Sequence, residues 1–208
     1  MKSHYRVVVI GGGVVGTHAA RVAAGMGADV TVLDRSLPRM RYLDDVFARD
    51  FKTMYASAGN TIEMVRAADM VIGAVLIPGA AAPKLVTRAQ LSEMKPGAAI
   101  VDVAIDQGGC FETSKATTHD DPVYDVDGIQ HYCVANMPGA VPRSSTIALG
   151  NATLPFVLAL ADKGWKAACA ADPHLAEGLN VHDGRLTNAA VGAALGIEAI
   201  SPAEALAL

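Results

Sequence analysis

Short apolar runs and stretches with a helical spacing of apolar residues alternate along the first two thirds of the chain. The runs have strand length and are rich in valine and isoleucine, which favours buried strands. The predicted strands are residues 5–10, 28–33, 52–56, 70–75 and 99–103, of which 52–56 is the weakest. The predicted helices are residues 14–26, 37–47, 61–68 and 86–94. This order repeats β-α-β units and predicts an α/β fold, a doubly wound parallel sheet with helices on both faces.

The pattern changes in the last third of the chain. Ser144 can cap a long helix that ends near Lys163, and Pro155 inside it predicts a kink. Proline and glycine break the remainder into pieces that are too short to bury their own apolar faces. We therefore predict a sheet domain over residues 1–141 and a C-terminal helical appendage over residues 142–208.

A Gly-x-Gly-x-x-Gly triplet, formed by Gly11, Gly13 and Gly16, connects the first predicted strand to the first predicted helix. In a dinucleotide site the first glycine permits a tight turn, the second lets a pyrophosphate approach the backbone, and the third lets helix and strand pack closely. The free amides at the helix start, near Val14 and Val15, face the anion. Such a triplet also arises as an ordinary turn, but the strand before it and the helix after it favour a Rossmann-type dinucleotide site.

Asp34 stands at the end of the second predicted strand, eighteen positions after Gly16. A carboxylate at this place receives the ribose hydroxyls of the adenosine half and repels a 2′-phosphate, so it predicts NAD over NADP. Arg35 and Arg39 weaken that prediction because a neighbouring arginine can bind the phosphate. In the alternative interpretation Asp34 is the N-cap of the second helix, a role that Ser36 could also fill.

Composition and charge narrow the class of protein. With 208 residues, 51% of them hydrophobic, the chain can bury one good core, or one domain with an appendage. The net charge of −4 argues against nucleic acid or an anionic membrane surface as a partner. We expect no apolar stretch as long as a membrane span and no signal peptide, hence a cytoplasmic protein. Cys110, Cys133 and Cys169 lack metal-ligand spacing, so we expect reduced thiols and no metal site.

Three loops rich in proline and glycine follow predicted strands, at residues 76–80, 104–109 and 135–142. In open parallel sheets, ligands bind beyond the carboxyl ends of the strands. The pattern alone supports a functional and a structural interpretation of these loops about equally.

Four segments carry a resemblance to the L-alanine dehydrogenase family, and they are residues 9–16, 72–79, 100–110 and 135–142. The resemblance runs from the first strand to about Asn188. Proton-translocating transhydrogenases share the framework but lack the Ile105-Asp106-Gln107 sequence. The family resemblance implies a Rossmann fold and the reversible NAD-linked deamination of L-alanine to pyruvate and ammonia.

The resemblance also implies roles for individual residues. Asp34 and Arg39 would hold the adenosine ribose, while Ala56, Val75 and Leu76 would line the adenine and ribose slot. The residues that would wall the nicotinamide are Val103, Ala104, Ile105, Asp106, Val134, Ala135, Asn136 and Met137. The residue that would reach the cofactor from the loop after Asp106 is Lys115.

Asp106 would be the catalytic residue by this resemblance. As hydride leaves Cα of the substrate the amine becomes an iminium, and a nearby carboxylate can stabilise the cationic nitrogen or relay its proton. The alternative makes Asp106 a turn residue that binds the amides of residues 107–109, and the pattern alone favours it.

Family members carry a separate domain before the Rossmann unit, and it supplies the arginine and lysine that bind pyruvate and the catalytic histidine. Only residues 1–4 precede the first predicted strand here, so these three roles are carried over to no residue. The six histidines are expected on the surface or in loops, and they are His4, His18, His119, His131, His174 and His182.

Three hypotheses follow for the chain. It is the NAD-binding part of an alanine dehydrogenase with weak or no activity of its own, one chain of a split enzyme, or a non-catalytic NAD-binding or oligomerisation module. L-alanine or pyruvate is expected to bind only if the other domain is supplied. We also expect a homo-oligomer, because the apolar face of residues 146–160 is predicted to be exposed or paired.

Overall fold

The computed structural model describes residues 4–47, 49–77 and 82–207, and the chain divides into two compact units, Met1–Met137 and Pro138–Leu208. The predicted domain boundary at residue 141 lies four residues after this division. The strands of the first unit are β1 Arg6–Ile10, β2 Asp29–Asp34, β3 Lys52–Tyr55, β4 Met70–Gly73, β5 Ala99–Asp102, β6 Val123–Val126 and β7 Ile129–Tyr132. Its helices are α1 Val14–Gly25, α2 Leu37–Phe47, α3 Ala58–Ala67 and α4 Arg88–Leu91.

Within the described residues, the strands form one seven-stranded sheet in the order β3-β2-β1-β4-β5-β7-β6. Every neighbouring pair is parallel except β6 and β7, which form an antiparallel hairpin at the edge. The predicted doubly wound parallel sheet is confirmed. The edge hairpin was not predicted, although its turn is an Asp127-Gly128 pair with positive φ at both residues, which is a typical hairpin signal.

The apolar residues of β1 are buried on both faces of the sheet. Val8 and Ile10 belong to a cluster that contains Phe111, whereas Val7 and Val9 belong to a second cluster. Helices cover both clusters, so β1 needs a continuous apolar run instead of an alternating one. This explains why the first strand reads as an unbroken series of valines and isoleucine.

The predicted helix over residues 86–94 is wrong. Only Arg88–Leu91 is helical, behind a capping box in which the Thr87 hydroxyl accepts from the Gln90 amide at 3.3 Å. Val86 instead forms a parallel β-bridge with Phe111, far away in the sequence. The apolar spacing resembled a helix, but a long-range pairing fixed the backbone as extended.

The second unit contains α5 Pro142–Ala171, α6 Pro173–Glu177, α7 Ala189–Leu195, α8 Pro202–Ala207 and the two-residue strands β8 Val181–His182 and β9 Arg185–Leu186. The interruption of α5 lies at Gly164, which has φ 75° and ψ 159°, and not at Pro155 as predicted. Glycine adopts a positive φ without a Cβ penalty. The helical stretch therefore does end near Lys163, for a different reason.

Helix α5 is apolar on all sides over much of its length. An 18-residue window of it has a mean hydropathy of 1.4 and 0% of its residues buried, so its length and composition would allow a membrane span. The expectation that no apolar stretch is this long is therefore wrong. A core helix of a soluble protein can meet the same criteria of length and composition. One such helix is therefore weak evidence for a membrane span.

Candidate functional site

The carboxyl ends of the parallel strands meet along one edge of the sheet, as the strand register requires. The chain builds outward from β1 through β2 to β3, and then crosses to β4 and β5 on the other side. Ligands of doubly wound sheets bind where the strand order reverses. That point lies between the loop after β1 and the loop after β4.

The loop after β1 contains glycines with different physical roles. Gly11 has φ +106° and donates its amide to the Leu33 carbonyl at 2.8 Å, and a Cβ there would lie 2.6 Å from the Ala74 oxygen. A Cβ on Gly16 would lie 1.8 Å from the Gly11 oxygen. A Cβ on Gly13 would meet nothing within 4 Å. Packing therefore requires Gly11 and Gly16, whereas Gly13 faces open space.

Helix α1 begins at this open space. Gly13 is its N-cap, no side chain caps it, and its first turn carries no acidic residue. Val14 and Val15 are 73% and 51% exposed. Uncapped first-turn amides and the positive end of the helix dipole make this terminus suitable for an anion.

Asp34 connects the glycine loop to the next helix. Its Oδ2 accepts from the Gly12 amide at 2.6 Å and its Oδ1 accepts from the Ser36 amide at 2.8 Å. The Ser36 hydroxyl accepts from the Arg39 amide at 3.3 Å, so Ser36 caps α2. Each carboxylate oxygen keeps acceptor capacity for a further hydroxyl donor.

Arg39 lies against the same loop. Its Nε donates to the Gly12 carbonyl at 2.6 Å, its Nη2 donates to the Thr17 hydroxyl at 2.9 Å, and its guanidinium lies 4.8 Å above the Tyr42 ring. Asp34 thus binds the amide of Gly12, and Arg39 binds the carbonyl of the same residue. Sequence reasoning missed Gly12, where a Cβ would lie 3.0 Å from the Asp34 carboxylate.

The other residues predicted for the adenosine side lie at neighbouring strand ends. Ala56 follows β3 and donates its amide to the Asp34 carbonyl at 2.9 Å. Val75 is half-buried and Leu76 is 68% exposed, both just after β4. Residues 78–80 of the predicted loop lie outside the described residues.

A 3-10 turn over Val103–Gln107 follows β5 directly, and we call it the 103–107 turn. Ala104 and Ile105 are buried, Val103 is half-buried and Asp106 is exposed. Among the described residues, Asp106 has no side-chain hydrogen bond or ion pair. The amides of Gly108 and Gly109 donate to the backbone carbonyls of Ile105 and Ala104, at 2.9 and 3.0 Å. Asp106 therefore does not organise the turn in the way that the alternative interpretation required.

Asp102 performs that task, and sequence reasoning missed it. It is the last residue of β5 and has no exposed surface. Its Oδ1 accepts from the Ala104 amide at 3.1 Å and its Oδ2 accepts from the Cys110 amide at 2.8 Å. The available signal was an acidic residue at the end of an apolar strand, ahead of a glycine pair.

β7 is the neighbour of β5 in the sheet, on the side away from β4. The segment that follows β7 therefore lies at the same sheet edge as the 103–107 turn that follows β5. Val134 is buried, Ala135 and Asn136 are exposed, and Met137 is half-buried. The Asn136 carbonyl contacts His119 Nε2 at 2.6 Å.

Lys115 extends over β6. Its Nζ lies 4.7 Å from the centre of the Tyr124 ring, and its amide donates to the Tyr124 hydroxyl at 2.8 Å. Burial raises the pKa of Tyr124 well above its usual value. The phenol therefore stays neutral and acts as a fixed acceptor for this loop.

His131 corrects the expectation that all six histidines lie on the surface or in loops. It is fully buried on β7, where Nδ1 contacts the Ile129 carbonyl at 2.9 Å and Nε2 contacts the Thr113 hydroxyl at 2.7 Å. The ring stacks on Tyr124 with a centroid distance of 4.9 Å. Two hydrogen bonds and a stacking partner offset the cost of burying an imidazole.

The three cysteines are free thiols and buried. Burial raises the pKa of Cys110 to about 11 and raises the pKa of Cys133 as well, so both thiols are un-ionised at neutral pH. Within the described ranges, no group of three or more histidine, cysteine, aspartate or glutamate side chains could hold a metal ion.

The chain is similar to known proteins in sequence and in structure. The family model "Alanine dehydrogenase/PNT, C-terminal domain" matches residues 2–189. An alanine dehydrogenase of Halomonas elongata is 65% identical over 198 residues, which cover 95% of this chain and 53% of the relative. A solved structure of an L-alanine dehydrogenase superposes on this chain with a TM-score of 0.83 and is 47% identical in sequence. The superposed part covers 92% of this chain and 53% of the solved chain.

A transhydrogenase structure from Sinorhizobium meliloti is less similar, with a TM-score of 0.67 and 30% sequence identity. This match covers 78% of this chain and 46% of the transhydrogenase chain. The chain spans about half the length of the relatives that it matches. By sequence, by structure and by the glycine loop, the chain belongs to the alanine dehydrogenase/PNT family, as its C-terminal, NAD-binding domain.

Proposed function

We propose that this chain is the cofactor-binding part of an L-alanine dehydrogenase. The pyrophosphate of NAD would lie on the Gly11–Gly16 loop and the uncapped start of α1, and Asp34 would bind the adenosine ribose. The observation that carries the proposal is the open space at Gly13, next to a helix start that no side chain caps. The same loop is tied to the Asp34 carboxylate at 2.6 Å, so an anion site and a ribose acceptor lie side by side.

We propose a preference for NAD over NADP on electrostatic grounds. A 2′-phosphate would approach the Asp34 carboxylate, and two anions at such a distance repel each other. The guanidinium of Arg39 already donates to the Gly12 carbonyl and the Thr17 hydroxyl, at 2.6 and 2.9 Å, and so has fewer free N–H donors to offer that phosphate.

The 103–107 turn and residues 134–137 would hold the nicotinamide, which would supply a hydride acceptor for Cα of the amino acid. The exposed carboxylate of Asp106 projects from this edge without a partner among the described residues. It would stabilise the cationic nitrogen of the substrate, or hold the proton that this nitrogen loses. Lys115 would contact the cofactor after leaving the Tyr124 ring.

The substrate-binding groups would come from a further domain, in the same polypeptide or in a partner chain. L-alanine and pyruvate would then bind only when that domain is supplied, and this chain would bind NAD with little or no turnover of its own. A split enzyme and a non-catalytic NAD-binding module remain the competing proposals. The apolar residues of α5 are exposed, for example Leu149 with 65% and Val157 with 55% of its surface accessible, which supports self-association or binding of a partner. A cytoplasmic location fits the three free thiols.

Complementation tests the function. The chain is mixed at equal molar ratio with the part of the Halomonas elongata relative that it does not cover, and NADH production from L-alanine is followed at 340 nm. We expect activity from the mixture and none from either part alone. NADH binding without activity in the mixture would favour the non-catalytic module, and the absence of NADH binding would contradict the proposal.

A further inference from the structure

One carboxylate lies directly behind the 103–107 turn and joins its two ends. Asp102 is fully buried, and it accepts hydrogen bonds from the amides of Ala104 and Cys110 and from the Ser114 hydroxyl. Ala104 lies at the beginning of the turn, and Cys110 follows the last residue of the turn by three positions. A single side chain therefore fixes both the entry and the exit of the turn.

One cation binds the same stretch of chain from the other side. The ammonium group of Lys84 donates to the carbonyl of Gly108, to that of Gly109 at 2.9 Å and to that of Phe111 at 3.2 Å. Lys84 belongs to an extended segment that pairs with this stretch through backbone hydrogen bonds of 2.7, 2.8 and 3.0 Å. It thereby connects the chain that follows β4 to the loop that follows β5.

The peptide group between Gly109 and Cys110 lies between the two charges. Its carbonyl accepts from Lys84 at 2.9 Å and its amide donates to Asp102 at 2.8 Å. Hydrogen bonds with one ionised partner are about twice as strong as neutral ones, and here both ends of one peptide dipole have such a partner. A Cβ on Gly109 would lie 2.5 Å from the Asp102 carboxylate, so the fit requires glycine.

We propose that Asp102 and Lys84 are positioning residues for the nicotinamide side of the site. They hold the 103–107 turn so that Asp106 projects from the sheet edge while the backbone of the turn forms a wall. Gly108 and Gly109 both have positive φ, 85° and 78°, and glycines give a loop large conformational freedom unless it is held. This inference rests on the proposed function, because it assigns the purpose of the arrangement to cofactor binding.

A comparison of two ligands tests this role in the whole chain. NADH would contact the turn through its nicotinamide, whereas ADP-ribose keeps the adenosine, the pyrophosphate and the second ribose and lacks only the nicotinamide. The variants are Asp102→Asn and Lys84→Met. The matched control is Lys95→Met, because Lys95 also binds a backbone carbonyl, but that of Ala67, which precedes β4, whereas the carbonyls that Lys84 binds follow β5.

Calorimetry should show that the dissociation constant for NADH rises about tenfold in Asp102→Asn and Lys84→Met, while that for ADP-ribose changes less than about twofold. Lys95→Met should change neither. If the two residues had only a general structural role, the affinity for NADH and for ADP-ribose would fall equally. That outcome, or an unchanged affinity for both ligands, overturns the inference. If the wild-type chain binds no NADH, the proposed function fails first and the inference fails with it.

Ser114→Ala keeps the test decisive if the two charge variants do not fold. It removes one hydroxyl donor from Asp102 and leaves both backbone amides in place. We expect the same selective loss for NADH, smaller in size, together with faster hydrogen exchange at the Cys110 amide. Unchanged exchange and an unchanged ratio of the two affinities would refute the positioning role.

Discussion

Substitution of Gly13 or Gly16 by alanine should separate ligand binding from folding. Gly13 has φ −64° and ψ −168°, which alanine adopts without strain, and its new Cβ would meet no protein atom within 4 Å. Gly13→Ala should therefore fold, with a stability within about 1 kcal/mol of the wild type. The methyl group would occupy the space through which a pyrophosphate approaches the backbone.

The loss of NAD affinity in Gly13→Ala should be at least about tenfold, or about 1.4 kcal/mol. Gly16→Ala has the opposite signature, because its Cβ would lie 1.8 Å from the Gly11 carbonyl oxygen, which is backbone and cannot rotate away. We expect it to destabilise the fold by about 1–3 kcal/mol or more, the range for overpacked sites.

The assay combines urea unfolding followed by circular dichroism with NADH titration by calorimetry. Gly13→Ala should keep the unfolding midpoint and lose affinity, and Gly16→Ala should lower the midpoint. Full NADH affinity in a folded Gly13→Ala variant would refute the argument that the open space receives the pyrophosphate. A wild-type midpoint for Gly16→Ala would refute the packing argument.

Three further predictions concern single residues. Asp34→Ala should weaken NAD binding by about 1–2 kcal/mol, the scale of a lost charged hydrogen bond, and calorimetry showing unchanged affinity would remove the ribose assignment. Asp106→Asn should leave NAD affinity nearly intact and abolish NADH production in the complemented mixture, and retained turnover there would remove the catalytic assignment of Asp106. The pKa of Cys110 is raised from 9.0 to about 11, so the folded state keeps its proton longer than the unfolded chain. The protonated thiol therefore contributes fully to the free energy of unfolding below pH 9, and this contribution is lost as the pH rises toward 11. The unfolding midpoint of Cys110→Ala should fall less over that range than the midpoint of the wild type. An identical fall in both proteins would contradict the assignment.

Local signals predicted the first half of the sheet. The apolar run of β1, the glycines beginning at Gly11 and the acid at Asp34 each follow from the neighbouring sequence, and the structure joins the last two through one hydrogen bond to Gly12. Such signals work because backbone conformation at a strand-to-helix turn is decided within a few residues.

Long-range pairings were beyond those signals. Val86 looked helical by its spacing, but its partner is Phe111. The roles of Lys84 and Asp102 depend on a chain reversal that brings separate segments onto one peptide group, which no local pattern encodes. The interruption of α5 at Gly164 shows a related limit, since proline is the stronger sequence signal but glycine alone adopts that φ of 75° freely.

The central claim is that the start of α1, together with Asp34, holds the dinucleotide. The most direct test is a titration of the ¹⁵N-labelled chain with NADH, followed by two-dimensional NMR. The account predicts saturable shifts of the amides from Gly12 to Gly16 and of the amide at Asp34, with smaller shifts from NADPH at equal concentration. No shifts in this loop at saturating NADH, or shifts confined to other parts of the chain, would contradict it.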